Sequence, residues 1–352
     1  MKKNDNKFLI IDSRPYGLFS IFLHTIDNLK WAEDNGYIPY VRWGPGRVDV
    51  NEKRDGAQMA TNRGDPKYVG DDPNFIVLDK EEERKPCLYY SADGHNNSSN
   101  PWEYYFEPVS SVTLDNISDA SCSISDIFQV GFHDLNISSL SDKFLIYNLH
   151  SYTPLNLWQH IMLSPKFDSG EEYRKSDLYL HRNIVHQYIK RYVKIKQQIS
   201  AKIDDFTNKH LTKNTLGVHI RGTDKKSESA HGQRPFVSIE DYIRHIEEYI
   251  RDHKDASIFV ASDNNEAIRR IFQNFPRSNI VVSNCTRMPS YGSVVPIHLS
   301  QHSGPLAGEE ALIDCVLLSR CSHIICTDSN LSAAALYFNP DVQCSFVNKG
   351  IS

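Results

Sequence analysis

From Leu216 onward, short apolar runs and stretches of helical apolar spacing take turns along the chain. Leu216–Ile220, Ser257–Ala261, Asn279–Val282 and His323–Thr327 read as strands, rich in Val, Ile, Leu and Phe as a parallel sheet buried on both faces requires. Ser238–Arg251, Asn264–Phe275, Glu309–Ser319 and Leu331–Phe338 read as helices. Ser238 and Asp241 give the first of these helices a start resembling a capping box. Strict alternation of strand and helix predicts a doubly wound parallel sheet. The amino-terminal end repeats the pattern more briefly. Lys7–Ile11 predicts a strand, Phe19–Asn35 a helix and Tyr37–Trp43 a second strand. Asn35-Gly36 marks the helix stop, and Pro39 confines the second strand to an edge.

Asp49–Asn100 is polar and rich in Gly, Asp, Asn and Lys, so it reads as loops with at most one strand, Asn74–Leu78. Asp177–Phe206 predicts one long helix, a strut with Ile184, Tyr188, Tyr192, Ile195, Ile199 and Ile203 along its apolar side. The polar stretch Asn208–Asn214 then reads as a boundary. The expected architecture is α/β, with two domains, over 1–207 and 208–352, and a cleft between them where a ligand would sit.

The length of 352 residues suits two domains. A net charge of -5 gives no electrostatic reason for a nucleic-acid partner. No apolar run approaches the ~18 residues of a membrane span, and the first residues lack a signal-peptide core. The seven cysteines are odd in number and lack CxxC spacing, so they read as reduced thiols. Together these features lead to the expectation of a cytoplasmic protein without a membrane span, peripheral membrane contact being left open.

Three expected strand ends carry polar chemistry: His219-Ile-Arg221-Gly222-Thr-Asp224-Lys225, Ser262-Asp263-Asn264 and Thr327-Asp-Ser329-Asn330. Ligands of an open parallel sheet lie beyond such ends. Arg221 offers a planar fork for a phosphate, or a surface ion pair with Asp224 or Glu228. Gly222 lets a ligand approach the backbone. Ser329 or Asn330 caps the following helix, whose free amides also form an anion site. A lone strand histidine such as His219 is more often structural. Asp314, inside the apolar run ALIDCVLLS, has two equal readings: a place on the solvent stripe, or a carboxylate aimed at the N1–H and N2–H donors of guanine. Gly17 sits at a strand-to-helix turn that would also line an acceptor side. Trp102 and Tyr105 belong to an aromatic group that would stack on a sugar, although an aromatic core is the favoured reading.

Three stretches in order, GVHIRGTDKKSE, IFVASDNNEAI and EEALIDCVLLSRCSHIICTDSNLS, resemble the three motifs of the α1,6-fucosyltransferase and protein O-fucosyltransferase superfamily. The first half resembles more loosely its bacterial members, the nodulation fucosyltransferase group. The resemblance implies a GT-B-like, inverting, metal-independent enzyme of two Rossmann-like domains facing a cleft, an acceptor-side domain over 1–207 and a nucleotide-sugar (donor) domain over 208–352, that takes GDP-β-L-fucose as donor and needs no cofactor. It implies that His219 contacts guanine or ribose, Arg221 holds the β-phosphate and Asp224 supports the loop. It further places Lys225 and Asp263 at the donor, Asp314 at the guanine edge, and Ser329 with Asn330 at the diphosphate. Glu228, then Asp224, are the base candidates. Three departures stand out: Gly222 replaces a second arginine, Glu228 lies one position before the expected glutamate, and Asp263-Asn264 replaces a pair of aspartates. A glycan or lipid-linked glycan is the expected acceptor, in bacterial surface polysaccharide synthesis. The alternatives are a different donor such as GDP-mannose, and a non-catalytic glycan-binding protein with a degenerate donor site.

Overall fold

The computed structural model describes residues 7–13, 16–43, 87–113, 127–129, 145–147, 170–222, 237–289 and 304–347. The expected strand at 74–78 lies outside them. The chain forms two compact units, Met1–Asn156 with Arg191–Lys194, and Leu157–Lys190 with Ile195–Ser352.

The first unit holds β1 (Lys7–Asp12), α1 (Leu18–Asp34), β2 (Tyr37–Arg42), α2 (Pro101–Tyr105), β3 (Ile127–Gln129) and β4 (Leu145–Tyr147). Its four-stranded parallel sheet runs in the order β2-β1-β4-β3. Pro39 therefore sits on an edge strand, where a missing N–H costs no inner ladder bond. Gly36, at φ 70°, follows the Asn35 cap in the left-handed conformation that ends α1. Gly17 is the N-cap of α1, an ordinary helix start. The sequence pattern does not mark β3 and β4, since three residues each show no period.

The aromatic group around α2 is a core. Trp102, Tyr104, Tyr105 and Phe106 are each 0% exposed. Trp102 stacks on Phe22 and meets Trp43 edge-on at a centroid distance of 5.0 Å. Its Nε1 donates to the Glu107 carbonyl at 3.1 Å. No ring face of Trp102 or Tyr105 is left for a sugar, so the acceptor-side role expected of them does not hold.

The second unit contains α3 (Gly170–Lys175), most of α4 (Asp177–Tyr192), α5 (Gln197–His210), β5 (Leu216–Ile220), α6 (Ile239–Asp252), β6 (Ile258–Ser262), α7 (Asn265–Asn274), β7 (Ile280–Val282), α8 (Pro305–Ser319), β8 (His323–Cys326), α9 (Asn330–Phe338) and β9 (Gln343–Phe346). The single helix expected over 177–206 is broken after Tyr192. Residues 191–194 are claimed by the first unit instead. Arg191 pairs with Glu33, Tyr192 Oη donates to Glu33 at 2.8 Å, and the Lys194 carbonyl accepts from Glu107 N at 2.8 Å. The buried side of α4 is Leu178, Arg182, Val185 and Ile189, while Ile184 is exposed. The expected boundary near 207 also shifts. Helices α3 to α5 belong largely with the second unit, because their inner side chains are satisfied there. Tyr173 Oη donates to the Pro340 carbonyl at 2.6 Å and accepts from the buried Arg182, while Ile199 and Ile203 are buried.

The five-stranded sheet is parallel throughout, in the order β7-β6-β5-β8-β9. Strand β9 escaped the sequence reading because QCSF is short, polar and at an edge. Ser238 and Asp241 form a reciprocal capping box at α6. Helix α8 begins a turn before the expected Glu309, at Pro305, where a missing N–H costs nothing. Every residue of β5 is buried. Leu216, Val218 and Ile220 join a cluster with Tyr242, Ile243 and Ile246 of α6 and Val260 of β6. Each such side chain contributes roughly 1.5–3 kcal/mol of burial. Among the described residues no helix is long and apolar enough to cross a membrane, and all cysteines are free thiols.

Gly217 lies on the opposite face of β5. A Cβ there would stand 3.0 Å from Leu318 Cδ2 and 3.1 Å from Cys321 Sγ. Gly217→Ala is expected to destabilise the second unit by about 1–3 kcal/mol through overpacking. Chemical denaturation with unchanged slope and a lowered midpoint is the expected result.

Candidate active site

The strand order of the second unit reverses between β5 and β8, so its switch-point crevice opens beyond the carboxyl ends of these two strands. Residues from four strand ends meet there through hydrogen bonds. On β5, alternation puts His219 on the same face as Gly217. Its ring is 6% exposed, and Nδ1 lies 2.7 Å from Ser332 Oγ and 3.4 Å from Ser329 Oγ. Ser329 Oγ accepts from Ser332 N at 3.1 Å as the N-cap of α9. The hydroxyl of Ser329 is thus engaged by its own helix and by His219. Any anion at this end meets the backbone amides of α9 and the half-buried Asn330. Ser332 was not foreseen, although its place three residues after a cap serine is the spacing a cap contact uses.

Beyond Ile220 come the half-buried Arg221 and the buried Gly222. The Gly222 amide donates to Asp263 Oδ1 at 3.0 Å. The Asp263 carbonyl accepts from Met288 N at 2.8 Å, and the Met288 carbonyl accepts from Asn265 N at 2.8 Å. Asp263 therefore ties together the ends of β5, β6 and β7. Asn264, at the second position of the expected acidic pair, caps α7 by accepting from Ala267 N at 3.0 Å. Its Nδ2 is buried without a hydrogen-bond partner, a deficit of roughly 1–3 kcal/mol.

Asp314 is 6% exposed, which excludes the solvent-stripe reading. Its Oδ1 accepts a short hydrogen bond from Ser283 Oγ, and Cys285 Sγ lies 3.7 Å from its Oδ2. Burial pushes the carboxyl up to about 6, against the Ser283 hydroxyl and the Arg287 charge, which favour the ionised form. Burial, with Asp314 next, pushes the Cys285 thiol up to about 12, which disfavours its thiolate. The residues closing on Asp314 come from the polar run SNCTRM after β7, which the apolar pattern alone did not single out. Asp224, Lys225 and Glu228 lie outside the described residues.

Residues 83–333 match the family of alpha-(1,6)-fucosyltransferase N- and catalytic domains. The chain belongs to this family. It is a glycosyltransferase of the fucosyltransferase class. No curated protein matches it in sequence. Among solved structures, the fucosyltransferase NodZ from Bradyrhizobium is 15% identical, with 95% of this chain and 94% of that chain covered at a TM-score of 0.47. The apo form of POFUT1 is 12% identical, with 98% and 99% covered at a TM-score of 0.47. An Arabidopsis thaliana FUT1 mutant in complex with GDP is 15% identical, with 97% and 70% covered at a TM-score of 0.46.

A carboxyl whose folded value is near 6, against an ordinary 3.8, binds more protons in the folded than in the unfolded chain between those pH values. Stability therefore falls as pH rises through that window. Asp314→Asn keeps the shape and removes the buried charge. At pH 7 the variant should be more stable than the parent by about 1–3 kcal/mol, and the difference should vanish near pH 4. Paired thermal melts at the two pH values check this.

Proposed function

We propose that this fucosyltransferase moves L-fucose from GDP-β-L-fucose to a glycan hydroxyl with inversion and without a metal. The observation that carries the reading is a buried carboxylate, Asp314, joined through the β7 exit to Asp263 and Gly222, next to Arg221 at the switch-point end of β5. A nucleoside diphosphate has a base edge and an anionic tail, and this site has an acceptor and a cation for them. In this reading Asp314 accepts from guanine N1–H and N2–H, which uracil cannot match. Arg221 makes two parallel charge-assisted bonds to the β-phosphate, and the α9 amides face the same anion. His219 orients the crevice wall toward the base or ribose, and Lys225 adds charge on the donor side. Glu228, with Asp224 as the second candidate, takes the proton from the acceptor hydroxyl. The hydroxyl oxygen then bonds to the anomeric carbon from the face opposite the diphosphate. The carbon–oxygen bond to GDP breaks, and the charge that develops on GDP falls on Arg221. A cytoplasmic role in bacterial surface polysaccharide synthesis, with a glycan or lipid-linked acceptor, completes the proposal.

Arg221→Ala is expected to lower transfer from GDP-fucose by roughly 10²–10³-fold. Arg221→Lys should also be badly impaired, since lysine keeps the charge and loses the fork. Both variants should melt like the parent. Full activity in Arg221→Ala would overturn the donor-site assignment. Transfer from GDP-mannose at a rate equal to that from GDP-fucose would change the donor.

GDP should bind more tightly than UDP by about tenfold or more, and EDTA should leave turnover unchanged. Because Asp314 must be ionised to accept from guanine, GDP affinity should be level above pH 6. Below that it should weaken toward about tenfold per pH unit. Isothermal titration across pH 4.5 to pH 8 measures this slope. A flat profile would remove Asp314 from base recognition.

A further inference from the structure

We infer that Ser283 is a positioning residue of the donor site, which orients the Asp314 carboxylate toward the purine edge; this rests on the base-reading role given to Asp314 above. The turn over residues 283–288 leaves β7 and is bonded into place. Ser283 is 5% exposed, directly follows Val282, and gives its hydroxyl proton to Asp314 Oδ1. Its Oγ also lies 3.6 Å from Cys285 Sγ, but a carboxylate is much the stronger acceptor. Arg287 folds back over the same turn. Its Nη2 donates to the Ser283 carbonyl at 2.6 Å and its Nη1 to the Cys285 carbonyl at 3.0 Å. Thr286 N donates to Glu310 Oε2 at 2.9 Å, and Thr286 Oγ1 to Glu310 Oε1 at 3.3 Å. Met288 N closes the turn onto the Asp263 carbonyl.

Glu310 and Asp314 stand four residues apart on α8, hence on one face of it. The upper carboxylate holds the turn, and the turn holds the lower carboxylate. Ser283 and Cys285 approach different oxygens of Asp314, which fixes the plane of the group, while each oxygen keeps a lone pair. A flat carboxylate held this way is suited to two parallel donors from one ring edge. Guanine supplies two such donors, and hypoxanthine only one.

The test compares GDP with inosine diphosphate, which keeps N1–H and lacks the exocyclic amine. The parent should prefer GDP. Ser283→Ala should weaken GDP about tenfold and inosine diphosphate by less than about threefold, narrowing the preference. It should also raise the pH below which GDP binding declines, because the hydroxyl helps to keep Asp314 ionised. Among the described residues, Cys285 and Arg287 of the turn and Cys315 and Glu310 of α8 are the other titratable or charged groups acting on or coupled to Asp314, and this variant leaves them in place. Glu310→Gln loosens the turn and leaves Ser283 and Asp314 in place, but it also removes a negative charge that pushes the Asp314 carboxyl up; it should show the same narrowing to a smaller degree, is read on the nucleotide preference alone, and serves if Ser283→Ala does not fold. A parent that binds GDP and inosine diphosphate alike would overturn the base-reading role itself. A parent that discriminates, with a Ser283→Ala variant that weakens both nucleotides equally and leaves the pH dependence unmoved, or, where that variant does not fold, a Glu310→Gln variant that leaves the preference for GDP intact, would leave Asp314 in its role and make Ser283 a packing residue only.

Discussion

Strand β5 has a parallel partner on each side and covered faces above and below. Its backbone donors and acceptors are spent on β6 and β8, and its side chains are sealed from water. A strand in that position meets solvent only at its ends, and in a parallel sheet the crevice for a ligand opens at the carboxyl ends. Gly217 belongs to the same constraint, for the α8 side of β5 is packed so closely that a Cβ would press on Leu318 and Cys321. The site follows from this burial. The reversal of strand order next to β5 opens the crevice, and Arg221 and Gly222 are the first residues past the seal.

The neighbouring strand ends hold that opening by polar bonds. Asp263 joins three of them, and His219 with Ser329 and Ser332 joins the fourth. A network of this kind is costly to leave incomplete, since each unpaired buried group loses its hydration without return. Asn264 shows the cost locally, because its amide caps α7 with the oxygen and leaves the nitrogen unpaired. Asp314 shows it electrostatically, as a carboxylate kept near 6 by burial. Both are features that stability alone would remove and that a recognition site has reason to keep.

Much of this was legible in the residue pattern because the second unit is built from strands buried on both faces and well-capped helices. Leu216–Ile220 was delimited to the residue by its apolar run, and Ser238 with Asp241 placed α6. The first motif located Arg221 and Gly222, and the second located Asp263. Period and capping are local, so they survive in a linear reading. Strands β3, β4 and β9 were lost to it because three or four residues at or near a sheet edge carry too little period.

The sequence by itself determined the alternation of strand and helix in the second unit, the order of its polar strand ends and the family to which they belong. Those follow from short-range spacing. Only the tertiary structure decided which side chains satisfy one another. It sent Trp102 and Tyr105 into a core, broke the long helix at Tyr192 because Glu33 and Glu107 claim the segment after it, and assigned α3 to α5 largely to the second unit. It also excluded the solvent-stripe reading of Asp314, by burying it and bringing up Ser283 from a strand end thirty-one residues away in the chain. A residue's spacing tells which element it rides on; whether its charge faces water or a neighbour depends on the element packed across from it, which no local pattern encodes.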